Sequence, residues 1–313
     1  MADNEIQKVE TNQDENEATQ EIVILDPEQE ELDLNHGRVG VIENLEPLRN
    51  LKRLYLRWNL IKKIENLETL TTLEELELYD NQITKIENLD ALVNLYWLDI
   101  SFNRLTKIEN LENLVSLQKL FLISNRIQTI ENLSTLTNLT MLELGDNKIR
   151  EIKNLENLTN LTHLYLGKNK ITKIENLDKL TKLECLSVQC NRLTKIEGLE
   201  NLKNLTELYL SENGIEKIEN LDNNASLETL DLAKNHIKII ENVQHLKEMN
   251  EFWLNDNEIN NWKCIEQLKE NLKLETVYLE RNPIASDIQY RKKLLLAVPW
   301  LKKIDATLCT APH

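Results

Sequence analysis

The side chains that most often carry catalysis or bind metals are few in this sequence and are not grouped. None of the five histidines lies in a metal-ligand spacing such as H-E-x-x-H, and the four cysteines form no C-x-x-C pair. Six glycines are too few for a phosphate-binding loop, and no G-x-S-x-G nucleophile motif occurs. We therefore expect a protein that is not an enzyme and that uses no cofactor or metal.

Acidic and aromatic side chains, by contrast, recur about every 22 residues in the middle of a Leu-x-Leu pattern. Of the twelve middle residues, six are aromatic, five are acidic and one is serine; none is basic. In chain order they are Asp33, Tyr55, Glu77, Asp99, Phe121, Glu143, Tyr165, Ser187, Tyr209, Asp231, Trp253 and Tyr278. Rings anchor protein contacts and acids pair with a partner's basic side chains, so this row favours a protein-binding surface. A preference of aromatic residues for strands would explain some of the rings, but not large rings on a solvent face beside acids. Three further rings, those of Trp58, Trp97 and Phe102, flank the row and enlarge the surface.

An asparagine that recurs with the same period sets the register of this row. The series is Asn59, Asn81, Asn103, Asn125, Asn147, Asn169, Asn191, Asn213, Asn235 and Asn257, followed by Asn282 after one longer unit. The pattern L-x-x-L-x-L-x-x-N at a fixed period of 20 to 29 residues is typical of leucine-rich repeats. Alternation within Leu-x-Leu sends the aliphatic residues to one face and the middle residue to the other, which predicts one short strand per repeat. The asparagine amide can satisfy backbone groups where the strand turns out of the sheet.

The rest of each repeat carries leucines three residues apart, as in Leu67, Leu70 and Leu73. A turn of three residues stacks such leucines on one face, whereas an α-helix rotates them away from it. We therefore predict an α/β leucine-rich-repeat solenoid. It has a parallel β-sheet on the concave face, 3-10 or irregular turns on the convex face, and a helical cap at the C-terminal end. No single repeat can bury its own leucines, so stability comes from stacking.

Three segments follow from composition and repeat register. Residues 1–30 carry ten acids against one lysine and few apolar residues, which predicts a disordered acidic tail. Residues 31–282 form the repeat array of about twelve units, of which the first is atypical because Gly37 replaces the asparagine. Residues 283–313 form the C-terminal cap, with helical apolar spacing that ends at Pro299.

The charge balance and hydropathy exclude several classes of partner. The formal net charge is −16, and nucleic-acid-binding proteins usually carry a basic stripe, so we expect no nucleic-acid partner. No apolar run approaches 18 residues, and the first residues lack the basic and apolar regions of a signal peptide. We expect a monomer that does not bind membranes.

Several stretches between residues 32 and 307 together resemble the leucine-rich-repeat regulatory subunits of protein phosphatase 1. They are the recurring Ile-Glu-Asn-Leu after the asparagine, DLNHGRV at 33–39, LYDNQI at 78–83 and TVYLERNP at 276–283. The resemblance implies a non-catalytic regulator that binds the phosphatase catalytic subunit through its concave face and controls its maturation, activity or location. It further implies a ternary complex with a second phosphatase inhibitor protein, presence in nucleus and cytoplasm, and a role in chromosome segregation.

The same resemblance implies eight partner-binding residues. They are Asp99, Phe121, Glu143, Tyr165, Asp231, Glu251, Trp253 and Tyr278. Seven of them belong to the row described above, and Glu251 lies two residues before its centre, on the same strand. At position 165 the family often has phenylalanine, so the tyrosine keeps the ring.

Two other functions remain open. A structural adaptor of a nuclear or cytoskeletal complex is the main alternative, and a bacterial surface adhesin with 22-residue repeats is the next. The string RVGV at 38–41 is the nearest approach to a linear [RK]-V-x-[FW] phosphatase-docking motif, but it lacks the aromatic residue. We expect Val39 to lie in the core and docking to use the folded surface only.

Overall fold

The computed structural model describes residues 26–309, and the chain divides into two compact units, Met1–Asn147 and Lys148–His313. In each unit the chain coils once per repeat and contributes one strand of three residues to a parallel sheet. The acidic tail predicted over residues 1–30 lies mostly outside the described residues. Of that segment, the Glu30 carbonyl accepts hydrogen bonds from the amides of Lys52 at 2.8 Å and Arg53 at 3.0 Å.

The described part of the first unit contains six strands, and each pairs in parallel with the next. They are β1 Glu31–Asp33, β2 Arg53–Tyr55, β3 Glu75–Glu77, β4 Trp97–Asp99, β5 Lys119–Phe121 and β6 Met141–Glu143. Their register places corresponding residues of successive repeats side by side, so that Asp99 lies opposite Phe121 and Phe121 opposite Glu143.

The second unit continues the pattern and ends in a hairpin. Its strands are β7 His163–Tyr165, β8 Cys185–Ser187, β9 Glu207–Tyr209, β10 Thr229–Asp231, β11 Glu251–Trp253, β12 Thr276–Tyr278, β13 Lys303–Ile304 and β14 Thr307–Leu308. The strand β13 pairs in parallel with β12, whereas β14 turns back and pairs antiparallel with β13. This hairpin was not predicted from the sequence.

Each regular strand covers x-Leu-x, one residue earlier than the predicted Leu-x-Leu. In β4, Leu98 is buried in the core while Trp97 and Asp99 point to the opposite face, and Ile100 returns to the core just after the strand. The predicted alternation is therefore confirmed. The additional residue at the start of each strand doubles the number of side chains on the face opposite the core.

Tight turns occupy the outer part of each coil. Leu70 donates its amide hydrogen to the carbonyl of Leu67, and Leu73 donates to Leu70, both at 3.0 Å. These bonds three residues apart are the 3-10 geometry predicted from the leucine spacing. All three side chains are fully buried, so the predicted leucine-rich-repeat solenoid with 3-10 or irregular turns is confirmed.

The recurring asparagine links each coil to the one before it. Asn81 accepts a hydrogen bond from the amide of Ile61 at 3.0 Å and donates to the carbonyls of Leu56 at 2.8 Å and Leu78 at 3.1 Å. The asparagines of the other coils repeat this pattern, as the equivalent bonds of Asn103 show. We call this series the asparagine ladder. Its bonds satisfy buried backbone groups that no strand or helix could satisfy.

The C-terminal cap contains a shorter α-helix than its apolar spacing predicted. The longer repeat carries a 3-10 helix over Trp262–Glu270, a second 3-10 turn covers Pro283–Ser286, and the only α-helix of residues 26–309, α1, covers Tyr290–Ala297. The ring centroids of Trp262 and Tyr290 lie 6.1 Å apart, which places α1 against the first 3-10 helix. Within residues 26–309, no helix is long and apolar enough to span a bilayer.

The N-terminal repeat is closed by Val39. This side chain is buried, and its amide donates to the Oδ1 atom of Asn59 at 2.9 Å. The expectation that Val39 belongs to the core is confirmed. Its backbone and side chain are both used by the fold, so the RVGV string is not an accessible linear peptide.

Candidate protein-binding surfaces

We use the term strand face for the side of the sheet, in either unit, that carries the first and third residues of the strands. The rings of the predicted row are half-buried on it, because strands about 4.8 Å apart bring neighbouring side chains into contact. Two acids are buried further, with exposed fractions of 3% for Glu77 and 4% for Asp231. Glu77 is compensated by an ion pair with Arg57. The row is therefore a packed surface rather than a set of free side chains.

In the first unit, the strand face brings three predicted binding residues together. Asp99, Phe121 and Glu143 occupy equivalent positions on the adjacent strands β4, β5 and β6. The Phe121 ring lies 4.8 Å from the Trp97 ring, and the Lys119 ammonium lies 4.8 Å from the centre of the same indole. A ring flanked by two carboxylates can take an apolar contact and a basic group from one partner surface.

These acids also stabilise the end of their own strands. Asp99 accepts a hydrogen bond from the Ser101 amide at 2.8 Å, and Glu143 accepts one from the Gly145 amide at 2.7 Å. The carboxylates therefore cap backbone donors of their own repeats, a structural role that sequence spacing did not reveal.

Burial changes the ionisation of the same acids. It raises the pKa of Asp99, opposed by hydrogen bonds from Ser101, and it raises the pKa of Glu143 to about 7, opposed by the bond from Gly145. Removing a carboxylate from water disfavours its charged form. Glu143 therefore changes charge near neutral pH.

In the second unit, four predicted residues form a compact group at its C-terminal end. Asp231, Trp253 and Tyr278 lie opposite one another on β10, β11 and β12, and Glu251 shares β11 with Trp253. The Trp253 indole donates to the Oε2 atom of Glu251 at 3.1 Å, and its ring meets that of Tyr278 edge to face at 5.7 Å. These contacts fix the indole orientation, which lowers the entropy cost of using it as an anchor.

An open cavity of about 360 Å³ adjoins this group. Its lining includes Asp231, Trp253, Tyr278, Glu212 and Glu280. Asp231 accepts a hydrogen bond from the Ala233 amide at 3.0 Å, and burial raises the pKa of Asp231. Two rings and several carboxyl groups around one depression can receive a protruding side chain of a partner.

Tyr165 stands apart from the group at the C-terminal end. It lies on β7, opposite Ser187 of β8, and its ring is 6.3 Å from His163. Strands β8 and β9 separate it from Asp231. The structure thus brings together three of the eight predicted residues in the first unit and four in the second. Tyr165 is a fifth predicted residue of the second unit and lies outside that group of four.

Sequence reasoning missed most of the first strand positions. Trp97 was recognised as flanking the row, but Lys119, His163 and Glu207 lie on the same face without having been predicted. Glu207 accepts a hydrogen bond from the Tyr209 hydroxyl at 2.9 Å. The signal that could have found them is the same alternation read one residue earlier.

Side chains that could bind a metal ion are not grouped in the described part of the chain. No group of three or more His, Cys, Asp or Glu side chains within residues 26–309 is arranged to hold a metal ion.

Two solved structures with the same fold are those of bacterial proteins. The chain is similar to an internalin from Listeria monocytogenes, with a TM-score of 0.72 and 26% identity over 93% of this chain and 91% of that one. It is also similar to a leucine-rich-repeat protein from Leptospira interrogans, with a TM-score of 0.70 and 22% identity over 83% of this chain and 73% of that one. The second likeness concerns the fold alone.

Curated relatives are named protein phosphatase 1 regulatory subunit 7. The protein of Homo sapiens is 57% identical over 49 residues, which are 16% of this chain and 14% of that protein. The protein of Bos taurus is 60% identical over 46 residues, or 15% of this chain and 13% of that protein. The match thus spans about one seventh of the relatives' length.

Family models for repeats match more than half of the chain. A model described as two copies of leucine-rich repeats matches residues 49–91, 71–113, 137–179 and 181–223. Two further leucine-rich-repeat models match residues 93–149 and 223–238. This fold, together with the regulatory-subunit names of the relatives, indicates a non-catalytic protein. The chain belongs to the leucine-rich-repeat family.

Proposed function

We propose that this protein is a regulatory subunit that binds the catalytic subunit of the Ser/Thr protein phosphatase 1 through its strand face. The observation that carries the proposal is an open cavity lined by Asp231, Trp253 and Tyr278, with Glu251 holding the Trp253 indole by a hydrogen bond. Short, highly identical matches to proteins named as regulatory subunits of this phosphatase add support. The eight predicted residues make the contact, with rings as anchors and acids facing basic groups.

The finer parts of the proposal follow the family. The protein controls the maturation, activity or location of the phosphatase and joins a second phosphatase inhibitor protein in a ternary complex. It acts as a monomer in nucleus and cytoplasm and contributes to chromosome segregation. These statements rest on the resemblance, and the strand face supplies the surface on which such an assembly would form.

The experiment is a binding titration of the phosphatase 1 catalytic subunit with wild type and with Trp253→Ala. The matched control is Ile239→Ala, which removes an exposed apolar side chain of the same unit outside the strand face. Hot-spot anchors cost about 2 kcal/mol or more when truncated, so we expect at least a 30-fold loss for Trp253→Ala and no change for the control. Circular dichroism confirms that each variant is folded.

Equal affinity of the wild type and Trp253→Ala would move the binding site away from the strand face. If the wild type does not bind the catalytic subunit, the proposed role as a phosphatase regulator is refuted. The structural adaptor would then become the better hypothesis.

A further inference from the structure

The residue just before each recurring asparagine has an unusual backbone conformation. It is left-handed, with φ between 51° and 58°, at all twelve equivalent positions. Nine of them carry Asp, Ser, Lys, Cys, Glu or Arg, and the exceptions, all in the first unit, are His36, Trp58 and Phe102. A side chain with a bulky ring is unfavourable in this conformation, where glycine, asparagine or aspartate fits best. The fold itself therefore does not explain Trp58 and Phe102.

These residues form a continuous row of rings with Tyr79. His36 stacks on Trp58 with centroids 4.3 Å apart and planes 6° apart, Trp58 meets Tyr79 edge to face at 5.6 Å, and Tyr79 meets Phe102 at 4.8 Å. We call these four residues the rim ladder. It runs along the first four repeats, just beyond the ends of their strands, and shares no residue with the eight predicted for the strand face.

The rim ladder is open to solvent. Trp58 and Phe102 each keep an exposed fraction of 41%, and Leu60, two residues after Trp58, keeps 49%. Rings that already contact one another are held in place, so a ligand would not have to order them. Contiguous exposed apolar surface of this kind marks an interaction site.

Charge near the ladder selects a cationic occupant. Asp80 is exposed and occupies the equivalent position in the repeat between Trp58 and Phe102. The nearby Arg57 guanidinium is engaged by the Glu77 carboxylate. Arginine suits this setting because its flat guanidinium stacks on aromatic faces while it donates to a carboxylate.

The shape of the ladder selects an extended occupant. Successive rings lie 4.3 to 5.6 Å apart in a line, and they form a row rather than a pocket. An extended peptide rises about 3.3 Å per residue, so roughly five residues would span the four rings. We infer that the rim ladder is a second docking surface, which binds an extended, arginine-containing segment of a partner protein.

The test uses a positional-scanning library of fluorescent nine-residue peptides and measures anisotropy with the full chain. The variant is Trp58→Gln with Phe102→Gln, which removes rings but no charge. The matched control is Val93→Gln with Val115→Gln, which changes two exposed valines of the outer turns in the same unit. Because charge is conserved in both, non-specific attraction of basic peptides to this acidic protein is the same in all three proteins.

We expect the wild type to select peptides with arginine, at least tenfold weaker binding by the ring variant, and unchanged binding by the valine control. Asp80→Asn keeps every ring and should weaken the same peptides several-fold, which gives a readout even if the ring variant does not fold. Selection of peptides without arginine, equal binding by the ring variant or by Asp80→Asn, or no selection at all would overturn the inference.

Discussion

The asparagine ladder and the strand-face row belong to the same coils but differ in how they vary. The ladder keeps one residue type, and each regular member makes the same bonds to its own and the preceding coil, as Asn81 and Asn103 do. The row changes from coil to coil, between rings such as Phe121 and acids such as Glu143. A position that the stack requires cannot vary, whereas one facing a partner can be fitted to it. The difference separates what holds the coils together from what they bind.

The largest expected effect on stability comes from breaking the ladder. Asn103→Ala removes an acceptor for the Ile83 amide and a donor to the carbonyls of Leu78, Ile100 and Ser101. Unsatisfied buried backbone groups cost about 1 to 3 kcal/mol each, so we expect the unfolding free energy to fall by about 3 kcal/mol or more. Urea denaturation measures it.

The control for that change is Asn94→Ala. Asn94 is exposed, and its side chain donates one hydrogen bond, to the Thr71 carbonyl at 2.9 Å. Its loss should cost less than about 1 kcal/mol. Similar urea midpoints for the two variants would mean that the ladder is not what holds the coils together.

For the strand-face row we expect a loss of binding with a smaller loss of stability. Phe121→Ala should weaken binding of the phosphatase catalytic subunit by about 2 kcal/mol, as loss of an interface anchor does. Its ring is only half-buried, so unfolding should change less than in Asn103→Ala. Calorimetric titration measures binding, and Val115→Ala, an exposed outer-turn residue, serves as the control. Large loss of stability without loss of affinity would place Phe121 among the structural residues.

Glu143 has both kinds of role, because it caps a backbone amide of its own repeat and also belongs to the strand-face row. Burial raises the pKa of Glu143 to about 7 from an ordinary value of 4.5. Between pH 4.5 and pH 7, Glu143 is therefore protonated in the folded state and ionised in the unfolded state. Stability should therefore fall as pH rises from 4.5 to 7 and level off above it. Glu143→Gln should remove this contribution, as thermal unfolding across pH will show.

Binding should respond to pH in the opposite sense. A basic partner group requires the ionised carboxylate, so affinity for the catalytic subunit should rise between pH 6 and 8. The rise should be smaller in Glu143→Gln. An identical pH dependence in wild type and variant would exclude Glu143 from the contact.

The smallest effect is expected from Asn224, which lies in the core at a position where most other repeats carry leucine. Its amide nitrogen donates to the carbonyls of Leu199 and Leu202, but its buried Oδ1 has no hydrogen-bond partner within residues 26–309. Both carbonyls also accept backbone bonds from Leu202 and Leu205. Asn224→Leu should therefore raise the unfolding free energy by about 1 kcal/mol, measured in urea. A loss of stability would show that the side-chain bonds outweigh the unpaired oxygen.

The sequence predicted the parts of this molecule that depend on period alone. The 22-residue register, the inward leucines and the bridging role of Asn81 follow from spacing and donor count. The hydrogen bond from the Ser101 amide to Asp99 was not predictable, because it depends on the backbone angles of residues 99 and 100 at the end of the strand. Spacing gives no access to such backbone angles.

The candidate sites show the same limit. Alternation placed Trp253 and Tyr278 on one face, but their contact at 5.7 Å depends on side-chain rotation. The C-terminal cap departs furthest, since apolar spacing up to Pro299 suggested one helix where a 3-10 turn, Pro283–Ser286, is followed by the short helix α1. Its closing feature is Asp305, whose carboxylate accepts bonds from the Leu279 and Glu280 amides.

The central claim is that the strand face, and not the outer turns, contacts the phosphatase catalytic subunit. Amide hydrogen exchange with and without that subunit tests it most directly, since the Ser101, Gly145 and Ala233 amides bond to strand-face carboxylates. We predict slower exchange at these amides in the complex and unchanged exchange in outer turns such as residues 67–73. Protection confined to the outer turns, or no protection by a bound subunit at the strand face, would contradict the account.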